Sequence, residues 1–379
     1  MRIAHFSDCY TPRINGVTTS IQVLKRALER EGHEVHVFVP RYQRQDPPEN
    51  HVHRIGSVYM PLQPEDRMGV PWPPAQMQQL YGQRFDIVHV HTPFNMGWMG
   101  YSKAFFGRTP MVFTHHTLWE EYAHYLKVVP RKLGRWVGRQ LCNFYFARAK
   151  AVVMPSHEVA EAIKTRLRCP YEVIPTGIDC KALHGGDARA ARQELQLADD
   201  VPIFLYVGRL GKEKSIDFLL KAFRGYRQAG GQAHFALIGG GPELENLKRL
   251  TVEMGLHDCC HFLGYRLRER LKDYLAASKL FLFASQTETQ GLVLLEAAAA
   301  GVPVVAVRAS GVNEAVESEG SGLLTSPGQM EEFVAAVQRL DSDAELHHRL
   351  SQRASRWAEQ FSDLEMGRKM TNLYRSLRP

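Results

Sequence analysis

Ser285-Gln-Thr-Glu-Thr-Gln-Gly-Leu-Val-Leu-Leu-Glu296-Ala-Ala-Ala-Ala-Gly301-Val-Pro303-Val-Val-Ala306 follows an unbroken apolar run, Leu280 to Ala284. A short continuous apolar run bounded by turn residues reads as a buried strand, and the stretch from about Gly291 to Ala300 reads as a helix stopped by Gly301, with a second strand led by Pro303. This is the layout of a ligand site at the carboxyl edge of a parallel sheet, where free helix N-terminal amides attract an anion such as a pyrophosphate. Glu288 precedes the helix and Glu296 lies about two turns inside it, so the two carboxylates reach different hydroxyl-bearing parts of one ligand. Acids in the polar positions of a strand, turn and helix also occur in doubly wound proteins at large.

The longer string narrows the choice. Glu-x7-Glu, an Ala-rich helix and Gly-x-Pro-Val resemble the signature of the retaining glycosyltransferases of the large two-domain family 4, which use nucleotide sugars. Ser-x-Thr-Glu-Thr-Gln-Gly-Leu resembles the 1,2-diacylglycerol 3-glucosyltransferase subgroup, whereas most other relatives carry Glu-Gly-Phe-Gly in this place. The resemblance covers nearly the whole chain. It implies an α/β architecture of the GT-B type: two Rossmann-like domains facing a central cleft, with the C-terminal helix crossing back to the first domain.

The 379 residues suffice for two cores of ordinary size, with 44% hydrophobic residues. No run approaches the roughly 18 to 20 apolar residues of a membrane span. The start, Met-Arg-Ile-Ala-His-Phe-Ser-Asp, is already strand-like and predicts no signal peptide. Six cysteines without paired metal spacing suit a reduced cytosolic protein. The net charge of +7 is unevenly spread: residues 1–170 hold 22 Lys and Arg against 13 Asp and Glu, and the remainder holds 25 against 27. A basic half suits nucleic acid, an anionic membrane surface or phosphorylated substrates, and charge alone does not choose among them.

Strands and helices alternate in both halves. In the first, Arg2 to Ser7, Glu34 to Pro40, Ile87 to His91, Met111 to Thr114, Ala151 to Pro155 and Glu172 to Pro175 predict short buried strands, with an amphipathic helix over Val17 to Arg30. Tyr42 to Pro74, Pro-rich and irregular, predicts edge strands and a loop. The second half restarts with Ile203 to Val207, His234 to Ile238, His261 to Leu263, Leu280 to Phe283 and Val304 to Val307. The polar stretch Thr176 to Asp200 reads as a linker. The expected domains are 1–175 with 362–379, for acceptor and membrane, and 176–361, for the nucleotide-sugar donor.

Four further segments concentrate chemistry. Asn15-Gly16 closes the loop after the first strand; Gly16 is either a turn residue or the point where backbone amides approach a ligand. The family's Asn-Gly or Gly-Gly turn beside the donor phosphates favours the second. Gly208-Arg209-Leu-Gly-Lys-Glu-Lys214 carries a guanidinium and an ammonium five residues apart, suited to a diphosphate leaving group or simply solvated before a helix. Its match to the family's Gly-Arg-Leu-x3-Lys implies that Arg209 and Lys214 stabilise the departing nucleotide.

His115-His116 suggests a metal at first sight, but adjacent side chains on an extended backbone point apart and make poor partners for one ion. The string through Tyr122 is similar to Thr-Tyr-His-Thr-x-Tyr-Glu-Asp-Tyr of the diacylglycerol glucosyltransferases. That similarity makes His116 the active-site histidine, places His115 where the family has an aromatic ring, and sets Glu120, Glu121 and Tyr122 at the acceptor end. His89 and His91 read as core or surface residues.

Lys127 to Lys150 holds seven basic residues and no acid, interleaved with Trp136, Phe144, Tyr145 and Phe146. Such a helix suits an anionic bilayer interface, through Arg131, Lys132, Arg135, Trp136 and Arg139, and equally suits packing of its apolar face on the sheet. No RNA-recognition module or zinc finger accompanies the charge, so no nucleic-acid partner is expected. Gly240 and Gly241, Tyr265, and the turn Thr289, Gln290, Gly291, Leu292 and Val293 outline the rest of a nucleotide groove.

The expected protein is a retaining, metal-independent hexosyltransferase without a cofactor. It moves glucose from UDP-glucose to diacylglycerol, peripherally on the inner face of the plasma membrane. The second domain binds the donor, with Glu296 on the ribose, and Glu288 and His116 hold the sugar. Another family acceptor (phosphatidylinositol, a sugar phosphate or a carotenoid) or a non-catalytic nucleotide-sugar- or RNA-binding protein are the alternatives.

Overall fold

The computed structural model describes residues 1–13, 15–43, 46, 48–59, 67–70, 74–116 and 131–378, with backbone alone at 74–76, 79 and 131. The chain divides into two compact units, Met1–Gly177 with Asp363–Pro379, and Ile178–Ser362.

The first unit contains β1 (Arg2–Phe6), α1 (Gly16–Arg30), β2 (Glu34–Pro40), β3 (Val52–Ile55), β4 (Ser57–Tyr59), β5 (Arg67–Gly69), α2 (Pro74–Gly82), β6 (Ile87–Val90), α3 (Asn95–Gly107), β7 (Met111–Thr114), α4 (Arg131–Phe146), β8 (Ala151–Met154), α5 (His157–Ile163) and β9 (Tyr171–Val173). Seven strands make a parallel sheet in the order β3-β2-β1-β6-β7-β8-β9, and β4 pairs with β5 as an antiparallel hairpin. Strands covered on both faces have no solvent side to alternate with, which is why β6, β7 and β8 are buried at every position.

The second unit contains α6 (Cys180–Leu183), α7 (Ala188–Leu195), β10 (Ile203–Val207), α8 (Ile216–Gln228), β11 (His234–Ile238), α9 (Leu244–Glu253), β12 (Cys260–Gly264), α10 (Arg268–Ala277), β13 (Leu280–Phe283), α11 (Leu292–Ala299), β14 (Val304–Val307), α12 (Val312–Ala315), β15 (Gly322–Thr325), α13 (Met330–Ser342) and α14 (Ala344–Glu359). Its six parallel strands run β12-β11-β10-β13-β14-β15, so the order reverses between β10 and β13. In the first unit the reversal falls between β1 and β6. Such switch points open the crevice in which doubly wound sheets bind ligands.

The last helix, α15 (Asp363–Ser376), belongs to the first unit. It packs on α1 through Gly367, where a Cβ would stand 2.9 Å from that of Ala27, and Arg30 holds Asp363 at 2.5 Å.

One expectation fails. Thr176–Asp200 is not a linker: it contains α6 and α7, and Leu183, Ala191 and Leu195 are buried in the second unit's core. Polar residues on the outer face of α7 hide its amphipathic period, and Asp187 caps it by accepting from the Arg189 and Ala190 amides.

Candidate active site

In the second unit, loops from both sides of the switch point meet. The segment after β10 runs Gly208-Arg209-Leu210, then through a 3₁₀ turn at Lys212–Lys214 into α8. The segment after β13 runs Ser285 to Gly291 into α11. Lys214 Nζ donates to Glu288 Oε1, tying the two loops, and both side chains are largely buried. The Tyr206 hydroxyl donates to the Arg209 carbonyl at 3.1 Å, setting the loop on which the exposed Arg209 side chain stands.

Gly291 has φ +68° and no side chain caps α11 behind it. The first amides of a helix have no intrahelical acceptor, so the start of α11, with Leu292 and Val293, presents donors and a positive dipole end beside Thr289 and Gln290. Ser285 Oγ and Thr287 Oγ1, both buried, add polar atoms with no hydrogen-bond partner among the described residues. Behind this turn α11 is anchored by Leu294 and Leu295, each fully buried. Burying a Leu side chain stabilises by roughly 1.5–3 kcal/mol, so a charge at Leu295 would dislodge the helix.

Glu296 projects from α11 into a nearly closed environment. Burial raises its carboxyl above the ordinary range, opposed by Arg268, whose Nη2 lies 2.5 Å from Oε1. The glycine loops form the opposite wall. Gly239 has φ +136°, and a Cβ there would stand 1.9 Å from the Gly208 carbonyl oxygen; one at Gly241 would stand 2.4 Å from that of Leu210. Close backbone approach therefore fixes glycine at both positions. Leu210 N donates to Gly240 O and Gly239 N to Gly264 O, each at 2.9 Å. Tyr265, 73% exposed, bonds the Gly240 carbonyl through its hydroxyl and leaves its ring available for stacking.

The first unit has its own cluster at the carboxyl ends of β1, β6 and β7. Asn15 caps α1 by accepting from Thr18 N at 2.8 Å. Gly16 is the first residue of α1 with no positive φ, and a Cβ there meets nothing within 4 Å. Gly16 therefore begins a helix and not a left-handed turn. Asp8 closes the β1 and β6 loops together by accepting from Thr92 Oγ1 (2.6 Å) and Met96 N (3.0 Å).

His116 and His115 turn to different neighbours, as adjacent extended residues must. His115 sits edge-on against Phe146 at 5.4 Å with neither ring nitrogen hydrogen-bonded among the described residues, so it packs as an aromatic. His116 Nε2 lies 2.9 Å from His91 Nδ1, and His91 Nε2 lies 2.8 Å from His5 Nδ1, a buried chain of three imidazoles. Burial lowers His116 to about 4 and His5 to about 3, so the chain is neutral near pH 7. Neutral rings pass one proton per bond, and His5 Nε2 has no partner among the described residues. An unpaired buried lone pair is tolerated better than an unpaired N–H, which orients every donor from His5 toward His116 and leaves His116 with its proton on Nδ1. His89 stacks on His91 at 4.1 Å but spends both nitrogens on Tyr374 (2.5 Å) and Thr114 (2.6 Å), so His5, His89 and His91 form a hydrogen-bonded core and not an ion cage.

The "Glycosyltransferase Family 4" description matches residues 14–182 and "Glycosyl transferases group 1" matches residues 187–357. The alpha-monoglucosyldiacylglycerol synthase of Acholeplasma laidlawii is 30% identical over 93% of this chain and 92% of its own. The chain belongs to the family 4 glycosyltransferases. The synthase of the same name from Streptococcus pneumoniae is 29% identical over 81% of this chain and 71% of its own. The Anabaena protein HepE, solved in complex with UDP and glucose, superposes with a TM-score of 0.78 at 22% identity, covering 99% of this chain and 100% of that one. The fold is GT-B, and the protein is a hexosyltransferase; retention and independence of a metal are consistent with the family.

Within this glycosyltransferase, Glu120, Glu121 and Tyr122 lie outside the described residues, as does the Arg131 side chain. Lys132, Arg135, Trp136 and Arg139 are exposed on α4. On that helix Cys142, Tyr145 and Phe146 pack into the core, as the packing expectation has it, and Leu133, Trp136 and Val137 stay in solvent. Sequence reasoning missed three supports. Arg268 shows no motif linking it to Glu296; Gly311, whose Cβ would stand 2.6 Å from Gln290 N, backs the Glu288 turn; and the His5 and His91 partners of His116 are distant in sequence.

Proposed function

We propose that this transferase moves glucose from UDP-glucose to diacylglycerol at an anionic membrane surface. The observation that carries the reading is the Glu288-Thr-Gln-Gly291 turn, ion-paired to Lys214 at the switch point of a sheet, in a chain similar along most of its length to synthases named for monoglucosyldiacylglycerol. In the second unit the nucleotide lies over Gly240, Gly241 and Tyr265, its ribose on Glu296 and its diphosphate on Gly208, Arg209 and Lys214; in the first unit, Asn15 and Gly16 are the family's donor-phosphate turn. HepE supplies the analogy for a UDP-linked glucose donor.

As the bond between the anomeric carbon and the β-phosphate oxygen breaks, its electron pair leaves with the nucleotide, and Arg209 and Lys214 neutralise the charge that develops. Glu288, relieved of part of its hold on Lys214, accepts from sugar hydroxyls, and His116 donates to the sugar through Nδ1–H. The acceptor hydroxyl oxygen forms the new bond to the anomeric carbon, and its proton passes to the departing β-phosphate oxygen. Glu120, Glu121 and Tyr122 border this acceptor.

Exposed apolar and basic groups on the first unit support the membrane part. Trp98 of α3 packs on Phe144 of α4 with ring centroids 4.3 Å apart, joining two helices that both leave large side chains in solvent: Phe105 and Phe106 on one, Leu133 and Trp136 on the other. Lys132, Arg135, Arg139 and Arg148 accompany them, the combination that binds an anionic interface. No helix among the described residues is long and apolar enough to cross a membrane. The first unit would thus present the lipid from the inner face of the plasma membrane.

The test is a donor-by-acceptor transfer assay with purified protein, UDP- and GDP-sugars, diacylglycerol in anionic mixed micelles, and water-soluble acceptors. An α-glucolipid formed from UDP-glucose is expected. Transfer only to soluble or phosphorylated acceptors would overturn the lipid reading and leave the donor site standing.

A further inference from the structure

On the sheet of the first unit, away from the carboxyl-end loops, β2 and β3 place four ligand-type side chains on one patch. Glu34 and His36 are two residues apart on β2, and His51 and His53 are two apart at the start of β3. Residues i and i+2 of a strand share a face, and the parallel register sets Val37 opposite Val52, so His36 faces His51 across the pair. The His36 and His51 rings stack at 4.5 Å and 3°, and one ligand atom each of Glu34, His36 and His51 lies within 4.8 Å of the other two.

The geometry points to a binding site for a late first-row divalent cation of the zinc class, formed by Glu34 Oε1, His36 Nε2 and a ring nitrogen of His51. Two imidazoles and a carboxylate are a common three-ligand set for such ions, with a fourth position open to water. Metal–nitrogen bonds of about 2.0–2.1 Å put tetrahedral ligands roughly 3.3 Å apart, so the existing separations close by side-chain rotation, chiefly of His51 out of its stack.

The outer contacts are already those that orient ligands. His36 Nε2 lies 2.7 Å from Glu34 Oε1, where an ion would replace the shared proton. His36 Nδ1 lies 2.9 Å from His53 Nε2, the partner that accepts the His36 proton once Nε2 is metallated. Arg2 Nε holds the other carboxylate oxygen, Oε2, at 3.1 Å and leaves Oε1 for the ion. His51 is fixed at φ +59° by the bond from Val37 N to its carbonyl, and its ring nitrogens have no hydrogen-bond partner among the described residues. An uncommon backbone conformation thus holds an uncommitted imidazole over its partner. His116 lies at the carboxyl ends of the strands of this unit, and Arg209, Lys214 and Glu288 belong to the second unit, so the ion would tie the sheet edge and take no part in transfer.

The experiment is a Zn2+ titration of tag-free, EDTA-stripped full-length protein against a chromophoric chelator, repeated with Co2+ to read the ligand field. One tight equivalent is expected, with a four-coordinate Co2+ spectrum and a higher melting temperature with Zn2+. His51→Asn keeps a side chain that tolerates positive φ, and it and Glu34→Gln should each weaken binding at least tenfold; His53→Gln should weaken it less. Transfer activity should not change with the ion. Absence of a tight equivalent, or an equivalent indifferent to both His51→Asn and Glu34→Gln, would overturn the site.

Discussion

The Lys214 ammonium and the Glu288 carboxylate are ion-paired between the loops that follow β10 and β13, the two strands on either side of the point where the second unit's strand order reverses. In the proposed transfer, the cation assigned to the diphosphate is thereby paired with the carboxylate assigned to the sugar, so that donor binding would exchange the partner of Lys214 instead of ordering it anew.

Glu288→Gln should lower transfer by about 10²-fold or more. It should also cost about 2 kcal/mol of stability, because the mostly buried Lys214 loses a charged partner. Glu288→Gln/Lys214→Met should regain the stability and none of the activity. Transfer rates and urea denaturation of the three proteins check this, and full activity in Glu288→Gln would remove the residue from the mechanism.

Arg268 is the cation that opposes the burial of Glu296. In Arg268→Ala the carboxyl should rise further, so the acidic limb of kcat/KM for the donor should move to higher pH. An unmoved limb would mean that Glu296 does not act as an ionised acceptor.

Acid should unfold this protein early. His116 at about 4, and His5 and His115 each at about 3, stand below their unfolded value, so the unfolded chain binds more protons. Their contribution is complete above about pH 6.5 and is lost as pH falls toward 4 and 3. Asp8, raised by burial to about 6, and Glu296, also raised, work the other way, while His53 at about 4 and the buried His89 and His91 add to the histidine side. Denaturant unfolding at pH 7 and pH 5 should differ by a few kcal/mol, with pH 7 the more stable.

Gly239→Ala combines φ +136° with a Cβ 1.9 Å from the Gly208 carbonyl oxygen. It should cost about 2 kcal/mol or more and weaken donor binding, since it pushes apart the two loops under the nucleotide. Calorimetric unfolding and UDP titration measure the two effects.

Replacing Arg131, Lys132, Arg135 and Arg139 by Ser should weaken binding to anionic vesicles by on the order of 1 kcal/mol per charge at low salt. Phe105→Ser/Phe106→Ser should remove the part of binding that survives high salt. Unchanged co-sedimentation in both variants would sink the membrane surface.

Much of this was legible in order along the chain. Strands such as Ile203–Val207, His234–Ile238 and Met111–Thr114 coincide with their reading because apolar runs and turn residues are local signals. The Glu288 turn was legible because strand, turn and helix are contiguous. The helices within Thr176–Asp200 were missed: α6 is four residues long and α7 eight, too short for a clear period against a polar background.

By itself the sequence determined the elements, the two-fold restart of the βα pattern, and the short strings that carry Arg209, Lys214, Glu288 and Glu296, since each is written in neighbouring residues. Only tertiary structure decided which charges meet. Lys214 reaches Glu288 over 74 residues of chain, Arg268 reaches Glu296 over 28, and His116 is set by His91 and, through it, by His5, whose bond to His91 spans 86. These pairings follow from strand order in two parallel sheets, and strand order is fixed by how whole faces bury against one another.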